Sequence, residues 1–489
     1  MSIFALRFFK TDKMITYEQF LTIHNIIWHE IQFSIYANRV YYCGSCARDI
    51  VLKRPIRKIE MCVNMVDGQR RLSELIARKL NIFKLDGANS NPTHNSRLST
   101  STLFLQTALP SLGDVPIIIT QTSKSTLNGE MSNYFGDLKT DMINRDFTIN
   151  AMYIKLDDFK VLGCMINGLS PVHLKKIKCV TDPDLVFNAD PIRILRGIRI
   201  ASELGWGIEP RTWIGMCNAS KKLNSIDETR IREELNQILV LPKPSEAFRR
   251  MYNCGVLHVL FYELTRLKGL QQGKCHCEDA FDHSLTVLDK TQPNIVNRLS
   301  GLLHDIGKPE VFTNNLFNDI HFYDHESHSE EIADMLLHEL KYDEPIIAKV
   351  KLAVKNHMRF KNVGKSIPSN HSLKKFIDAV GEENIELCLD VIEADNMSHA
   401  PEHCIIGQID KIRPRIDFIN EQNKKKLNQI HLPINGADII KEFKLKKGPI
   451  IGQYLELLKE YASINPKMTK EEAFEIIQEE ITNSELQTI

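Results

Sequence analysis

The residues of this chain best suited to chemistry lie in its second half. His283 sits in the helical run EDAFDHSLTVL, and His304 and Asp305 stand side by side in LLHDIGKP. His325 follows in FYDHESH, His357 in VKNHMRF and Asp395 in VIEADNM. Imidazole nitrogens and carboxylate oxygens in one set suit Mn, Fe, Co, Ni, Zn or Mg, and an aspartate can hold one ion or bridge two. A lone histidine on a helix is more often a core or surface residue. The adjacent His304-Asp305 pair after an apolar run is harder to dismiss. His276, His321, His328 and His399 are left as surface or supporting residues.

The order H…HD…H…H…D resembles the ligand order of the HD phosphohydrolases. The resemblance implies that His283, His304, Asp305, His325, His357 and Asp395 are metal ligands. All six would allow a dinuclear site; His283, His304, Asp305 and Asp395 alone would hold one ion. Water near such an ion loses a proton close to neutral pH and can attack a phosphoester. Asp305 and Lys308 are expected to be catalytic, Lys308 by offsetting charge on the phosphoryl oxygens.

The first half carries a second constellation. Gly44-Ser45 forms a turn between an apolar strand pattern and the helical Ala47-Arg48-Asp49, and such a turn can direct backbone N–H groups at phosphate. The Cys43-x-x-Cys46 spacing around it leaves a redox or zinc pair open, although no second ligand pair follows. Further on come Arg145-Asp146-Phe147-Thr148-Ile149-Asn150 and Asp190-Pro191-Ile192-Arg193, with Arg196 and Arg199 at helical spacing beyond it. An aspartate accepts from an exocyclic amine and an arginine donates to ring acceptors, so Asp190 and Arg193 can distinguish bases. Without the rest of the motif, the two are equally an i, i+3 ion pair near a helix start.

These segments resemble the class II, bacterial-type tRNA CCA-adding enzymes and their poly(A) polymerase relatives, a subset of which carries an HD domain. Their motifs are a GGxVRD turn, RRDFTxNAM, and EDxxR ahead of an arginine-rich helix. The resemblance implies that Gly44, Ser45, Arg48, Asp49, Arg145, Asp146, Asn150 and Arg196 surround a nucleotide, with Asp190 and Arg193 as base readers. It implies CTP or ATP and the 3′ ends of tRNA or other RNA as partners.

The same resemblance exposes departures. Nucleotidyl transfer in the family uses two divalent ions on a DxD pair, and the matching stretch here is Lys58-Ile59-Glu60. An ammonium repels Mg²⁺, so Glu60 stands alone as a catalytic candidate, and Mg²⁺ in the head is expected only if transfer survives. The strand Ile117–Gln121 lacks the expected acid, Cys43 replaces the first glycine and Ala189 the acid before Asp190. A shifted register would bring in Asp67 or Asp114.

Elements that could position these residues are legible in outline. Residues 17–36 read as a helix, 40–42 as a strand, 58–65 as a strand, 86–101 as a loop and 115–121 as a β run whose proline argues for an edge or a strand start. From about residue 184 helical periodicity dominates. The fold class is α+β: a nucleotidyltransferase-like head with a mixed sheet, then an all-helical body containing the HD domain. The expected parts are 1–36, an N-terminal extension and helix; 37–170, the head; 171–270, a helical nucleotide- and RNA-binding neck; 271–410, the HD domain; and 411–489, a helical tail. In the tail, 434–461 reads as helix, glycine-containing turn, helix. It resembles a tRNA-holding segment, with Lys441, Lys444, Lys446 and Lys447 suited to phosphates, or else a plain surface hairpin.

Composition narrows the class. The 489 residues suffice for about three domains. Lys plus Arg and Asp plus Glu both number 62, so RNA contact would rest on local runs, 53–58, 175–178, 193–199 and 424–426, each of which is equally a solvated face. The 11 cysteines show no disulfide regularity, which points to a reducing compartment such as the cytosol. No apolar run nears the roughly 20 residues of a membrane span. The expectation is an RNA- or nucleotide-binding protein with impaired CTP/ATP transfer and a working metal-dependent phosphohydrolase. The alternatives are an active CCA-adding enzyme with an atypical metal site and a non-catalytic RNA-binding or regulatory protein.

Overall fold

The structure, a computed structural model, describes residues 14–80, 84–86, 100–104, 116–125, 131–135, 137–163, 170–273, 278–314, 320–361, 367–400, 402–428, 432–446, 448–464 and 468–486. The expected 1–13 extension, most of the 86–101 loop, Asp114, His276 and Lys447 lie outside them. The chain divides into two compact units, Met1–Val354 and Lys355–Ile489.

The first unit opens with α1 (Tyr17–Ile31), held by a capping box between Thr16 and Gln19. The helix ends short of residue 36, because the chain turns through 32–38 to enter the sheet. There follow β1 (Val40–Cys43), α2 (Gly44–Val51), β2 (Ile59–Val63), α3 (Gly68–Leu80), β3 (Lys84–Asp86), β4 (Thr100–Phe104) and β5 (Pro116–Gln121). After β6 (Ser123–Ser125) and β7 (Met131–Phe135) come α4 (Leu138–Asn144), β8 (Tyr153–Lys155) and β9 (Val161–Leu162). The main sheet runs β3-β4-β5-β2-β1-β8-β9. Its β2–β5 pair is parallel, with Glu60 beside Ile118, and its other pairs are antiparallel. Pro116 takes the first position of β5, where its missing N–H does least harm, and β5 is interior rather than an edge.

Side chains alternate across a strand, and that rule sorts this sheet. Val40, Tyr42, Ile59, Met61, Val63, Ile117 and Ile119 join the large core against the helices. Tyr41, Cys43, Cys62 and Tyr153 cluster separately on the opposite face. Glu60, between Ile59 and Met61, is therefore turned toward that second face.

The rest of the first unit is helical: α5 (Pro171–Leu174), α6 (Pro183–Ala189), α7 (Arg193–Leu204), α8 (Pro210–Ala219), α9 (Glu228–Leu239), α10 (Pro244–Asn253), α11 (Leu257–Leu260), α12 (Tyr262–Thr265), α13 (Ala280–Lys290), α14 (Ile295–Leu303), α15 (His325–Glu339) and most of α16 (Glu344–Asn356). Two ribbons that helical periodicity did not reveal interrupt it. One pairs β10 (Lys176–Ile177) with β11 (Gly207–Ile208), and the other pairs β12 (Phe312–Asn314) with β13 (Ile320–Phe322). The second unit holds α17 (Asn370–Val380), α18 (Ile385–Asn396), α19 (Gln408–Asn428), α20 (Gly436–Phe443), α21 (Pro449–Ile464) and α22 (Lys470–Leu486). The expected helix–turn–helix of the tail is α20–α21, capped at Asn435 and turned by a left-handed Lys444 (φ 52°) rather than by Gly448.

Candidate functional sites

The turn expected to receive phosphate is the N-terminus of α2. Gly44 opens the helix with φ +61°, and a Cβ there would lie 2.7 Å from Glu60 Oε2, so both backbone and space call for glycine. The Ser45 N–H and Oγ–H both donate to Glu60 Oε2, at 2.8 and 2.7 Å. Glu60 Oε1 meets the Lys58 ammonium at 2.8 Å. Burial alone would raise the Glu60 pKa, but Lys58 and the hydrogen bonds outweigh it and hold the carboxyl down to about 2. Each Glu60 oxygen is thus already engaged within the chain.

Around this turn, residues from β1, α2, β2, β5, α4, α7 and α9 enclose a cleft of about 450 Å³. Gly44, Ser45, Arg48, Asp49, Glu60, Arg145, Asp146, Asn150, Arg193 and Arg196 all line it. Asp190, the expected base-reading partner of Arg193, does not.

The acids lining this cleft are matched by cations from neighbouring elements. Arg48 grips Asp49 with two bonds, at 2.8 and 3.0 Å. Glu203 on α7 meets Arg48 and Arg54 at 3.4 and 3.2 Å. Arg145 bonds Asp141 at 3.2 Å and Tyr153 Oη at 2.5 Å, while the Tyr153 hydroxyl donates to Asp141. Asp146 accepts from Arg196 at 3.1 Å and from the Asn150 amide at 3.1 Å. Glu234 on α9 takes Arg196 at 3.1 Å and Arg199 at 2.8 Å. Despite burial, these arginines hold the Asp146 and Glu234 carboxyls below their ordinary range.

Two expectations change here. Asp190 pairs with Arg230 at 2.8 Å and not with Arg193. Arg193 instead donates to the Asn144 carbonyl at 3.2 Å. Arg196 and Arg199, expected at phosphate, are tied to acids inside the protein. Sequence reading missed Glu203, Glu234, Asp141 and Tyr153: nothing local marks a glutamate 38 residues from its arginine, but the i, i+4 spacing of Asp141 to Arg145 and of Arg199 to Glu203 was a signal that could have found two of them.

The head does not fit a two-metal site. Among the described residues, no group of three His, Cys, Asp or Glu side chains converges in the cleft. Asp67 lies in the turn before α3 and does not line it. Cys43 and Cys46 are buried free thiols; a hydrogen bond from Cys62 lowers Cys43 while burial pushes Cys46 well above the usual thiol range, and among the described residues no third ligand joins them, which leaves the zinc reading without support.

The second site is built on Asp305. His304 closes α14, and the backbone then turns through Gly307 to Lys308. A Cβ on Gly307 would sit 2.5 Å from Ser329 N and 2.8 Å from His325 O, so only glycine lets this turn press against the start of α15. The Gly307 N–H also donates to Ser329 Oγ at 2.9 Å. This contact sets His325 opposite Asp305, with Nε2 3.2 Å from Oδ1. His304 Nε2 lies 3.0 Å and His283 Nε2 3.7 Å from Oδ2. Lys308 Nζ reaches Oδ2 at 2.6 Å and the Gln272 amide oxygen at 2.5 Å. Asp305 is buried, and although burial opposes ionisation, His304 and Lys308 keep its carboxyl well below the usual range.

The donor set fits a divalent cation. His304 Nδ1 lies 2.9 Å from the Gly301 carbonyl, and His325 Nδ1 lies 2.7 Å from the Phe322 carbonyl. A carbonyl only accepts, so each Nδ1 donates to its carbonyl and each ring turns its Nε2 toward the Asp305 carboxylate, the nitrogen a metal would take. His357 and Asp395 belong to the second unit. His357 follows α16 and is buried; Asp395 lies in α18, buried, 2.5 Å from Lys361 Nζ and 4.0 Å from His399 Nε2.

Comparison with known proteins picks out the same parts. Residues 40–178 match the poly A polymerase head domain, 205–268 the probable RNA and SrmB-binding site of polymerase A, and 281–400 the HD domain. The chain is 26% identical over 362 residues to a CC-adding tRNA nucleotidyltransferase of Thermus thermophilus, covering 69% of this chain and 76% of that one. It is 23% identical over 354 residues to an A-adding tRNA nucleotidyltransferase of Deinococcus radiodurans, covering 70% and 79%. In fold it resembles the Bacillus stearothermophilus CCA-adding enzyme solved with CTP, with a TM-score of 0.57, 16% identity and coverage of 95% and 98%. Among the described residues, no helix is long and apolar enough to cross a membrane.

Proposed function

We propose that this chain, built from the head, RNA-binding and HD modules of the tRNA nucleotidyltransferase and poly(A) polymerase family, is a metal-dependent phosphohydrolase carried on an RNA-binding scaffold, with impaired CTP and ATP transfer. One contrast supports this reading. Glu60 is locked by Lys58 and Ser45, whereas Asp305 is faced by three imidazole Nε2 atoms.

A divalent ion at the Asp305 centre supplies Lewis acidity toward a phosphoester and toward water. His283, His304, Asp305 and His325 are the ligands this reading takes from the first unit. His357 and Asp395 join them by their order in the sequence. The Gly301 and Phe322 carbonyls orient the rings, and burial of the centre strengthens each charge in it. Lys308 holds positive charge beside the carboxylate, where it can meet a phosphoryl oxygen. The substrate class is RNA 3′-phosphates, 2′,3′-cyclic phosphates or nucleotides. The head cleft, where Arg193 donates to the Asn144 carbonyl rather than to a carboxylate, is where a nucleotide or RNA 3′ end would lie.

A second reading, an active CCA-adding enzyme, draws on the names of the two relatives, each a tRNA nucleotidyltransferase. The deciding assay for the first reading is phosphate release from a 3′-phosphorylated oligoribonucleotide by Mn²⁺- or Ni²⁺-loaded protein. Loss of release in His304→Ala and Asp305→Ala supports it; no release by the unaltered protein with any of these ions contradicts it.

A further inference from the structure

Gln272 stands in the irregular stretch 270–273 ahead of α13, outside every motif. Only 8% of it is exposed, and its Oε1 takes the Lys308 ammonium at 2.5 Å. An ammonium has donors and no acceptor, so this contact fixes which end of the amide faces Lys308. The Nε2 group is consequently turned away from Lys308. It is buried and, among the described residues, has no hydrogen-bond partner. A buried donor left without an acceptor is destabilising, and folds retain few of them.

Its surroundings say what acceptor would suit it. Lys308 bonds Asp305 and Gln272, and the third N–H of its ammonium, 5.3 Å from the centre of the Phe322 ring, has no hydrogen-bond acceptor among the described residues and can turn to a ligand. An amide donor and an ammonium donor therefore stand side by side at the edge of the Asp305 centre. A group with several oxygens and negative charge satisfies both. We propose that Gln272 is a phosphate-binding residue of this centre, its Nε2 group donating to a non-bridging oxygen of the phosphoryl group. The inference rests on the hydrolase reading only for the identity of the phosphoester; the anion site itself stands on Gln272 and Lys308.

The test uses the full-length, Mn²⁺-loaded protein and inorganic phosphate as probe, with binding followed by calorimetry. Gln272→Glu keeps the side-chain length and an acceptor for Lys308 but replaces the donor by an oxygen that repels phosphate. Gln272→Ala removes the donor outright. Phosphate affinity is expected to fall roughly tenfold in the alanine variant and further in the glutamate variant, at unchanged Mn²⁺ content. KM for a phosphoester should rise in parallel, with kcat little altered. Affinity within twofold of the unaltered protein in both variants overturns the proposal. So does a fall in affinity that merely tracks lost Mn²⁺, which would make Gln272 a positioning residue for Lys308. Gln272-dependent phosphate binding without hydrolysis would leave this inference standing while the hydrolase reading fell. Hydrolysis with unaltered KM in both variants would do the reverse.

Discussion

The ammonium of Lys58 sits 2.8 Å from Oε1 of Glu60, at the two positions where the family's DxD pattern would place metal-binding carboxylates. On the proposed reading, an internal ion pair stands where a cation site would otherwise be. Two consequences can be measured.

The first concerns stability. The Glu60 carboxyl is held down to about 2 in the fold, against an ordinary 4.5. A depressed pKa adds stability that is fully present above the unfolded value and lost as pH falls through the folded one. Glu60→Gln is therefore expected to destabilise the protein by ~2–3 kcal/mol at pH 7. The difference from the unaltered protein should shrink steadily between pH 4.5 and about 2. Urea midpoints at several pH values read this directly. A difference independent of pH would mean that Glu60 acts through packing rather than charge.

The second concerns transfer. Lys58→Asp places two acids at i, i+2 beside β2 but leaves Ile118 opposite Glu60 and Ser45 bonded to it. One carboxylate does not rebuild a two-metal site, so CMP incorporation into a truncated tRNA should stay at background in this variant. Incorporation at an ordinary turnover would show that Lys58 alone had silenced the head.

Glu234 joins Arg196 and Arg199 and is itself buried. Replacing it by alanine takes one carboxylate from each of two partly buried arginines, which keep Asp146 and Glu203 as partners, so a loss of about 1–3 kcal/mol is expected. Thermal melts should show this, whereas Lys341→Ala, whose ion pairs are half-exposed and screened by solvent, should leave the melting temperature nearly unchanged. Similar losses in both variants would contradict the ranking.

Gly307→Ala tests the turn that presents His325. The new methyl would meet Ser329 N at 2.5 Å, a distance only backbone movement can relieve. The expected outcome is a loss of about 1–3 kcal/mol in stability, with weaker Mn²⁺ retention on dialysis. Full metal retention would mean that the turn does not govern His325.

The sequence made the Asp305 centre readable because its residues sit in short, ordered motifs, and its His304-Asp305 pair borders a helix end that apolar periodicity predicts. The alternation around Glu60 was readable for the same reason: strand period puts Ile59 and Met61 in the core and Glu60 on the other face. Long-range pairing was not. Glu234 and Arg230 are ordinary helical charges in sequence, and only the packing of α9 against α7 and the residues before it makes them partners of Arg199 and Asp190. Gln272 carries no local signal, since its part depends on Lys308 reaching back 36 residues. The missing acid on β5 was visible as Ile118, yet its interior position was not, because a proline at a strand start looks the same on an edge.

The central claim is that the working chemistry has moved from the head to the Asp305 centre. One purified preparation can be divided between two assays: labelled CMP and AMP incorporation into a truncated tRNA with Mg²⁺, and phosphate release from 2′,3′-cyclic and 3′-phosphorylated nucleotides with Mn²⁺, Co²⁺ or Ni²⁺. Hydrolysis that disappears in a His304→Ala/Asp305→Ala variant, with incorporation at background, is the predicted result. Incorporation at an ordinary turnover, with no hydrolysis under any of these ions, would contradict it.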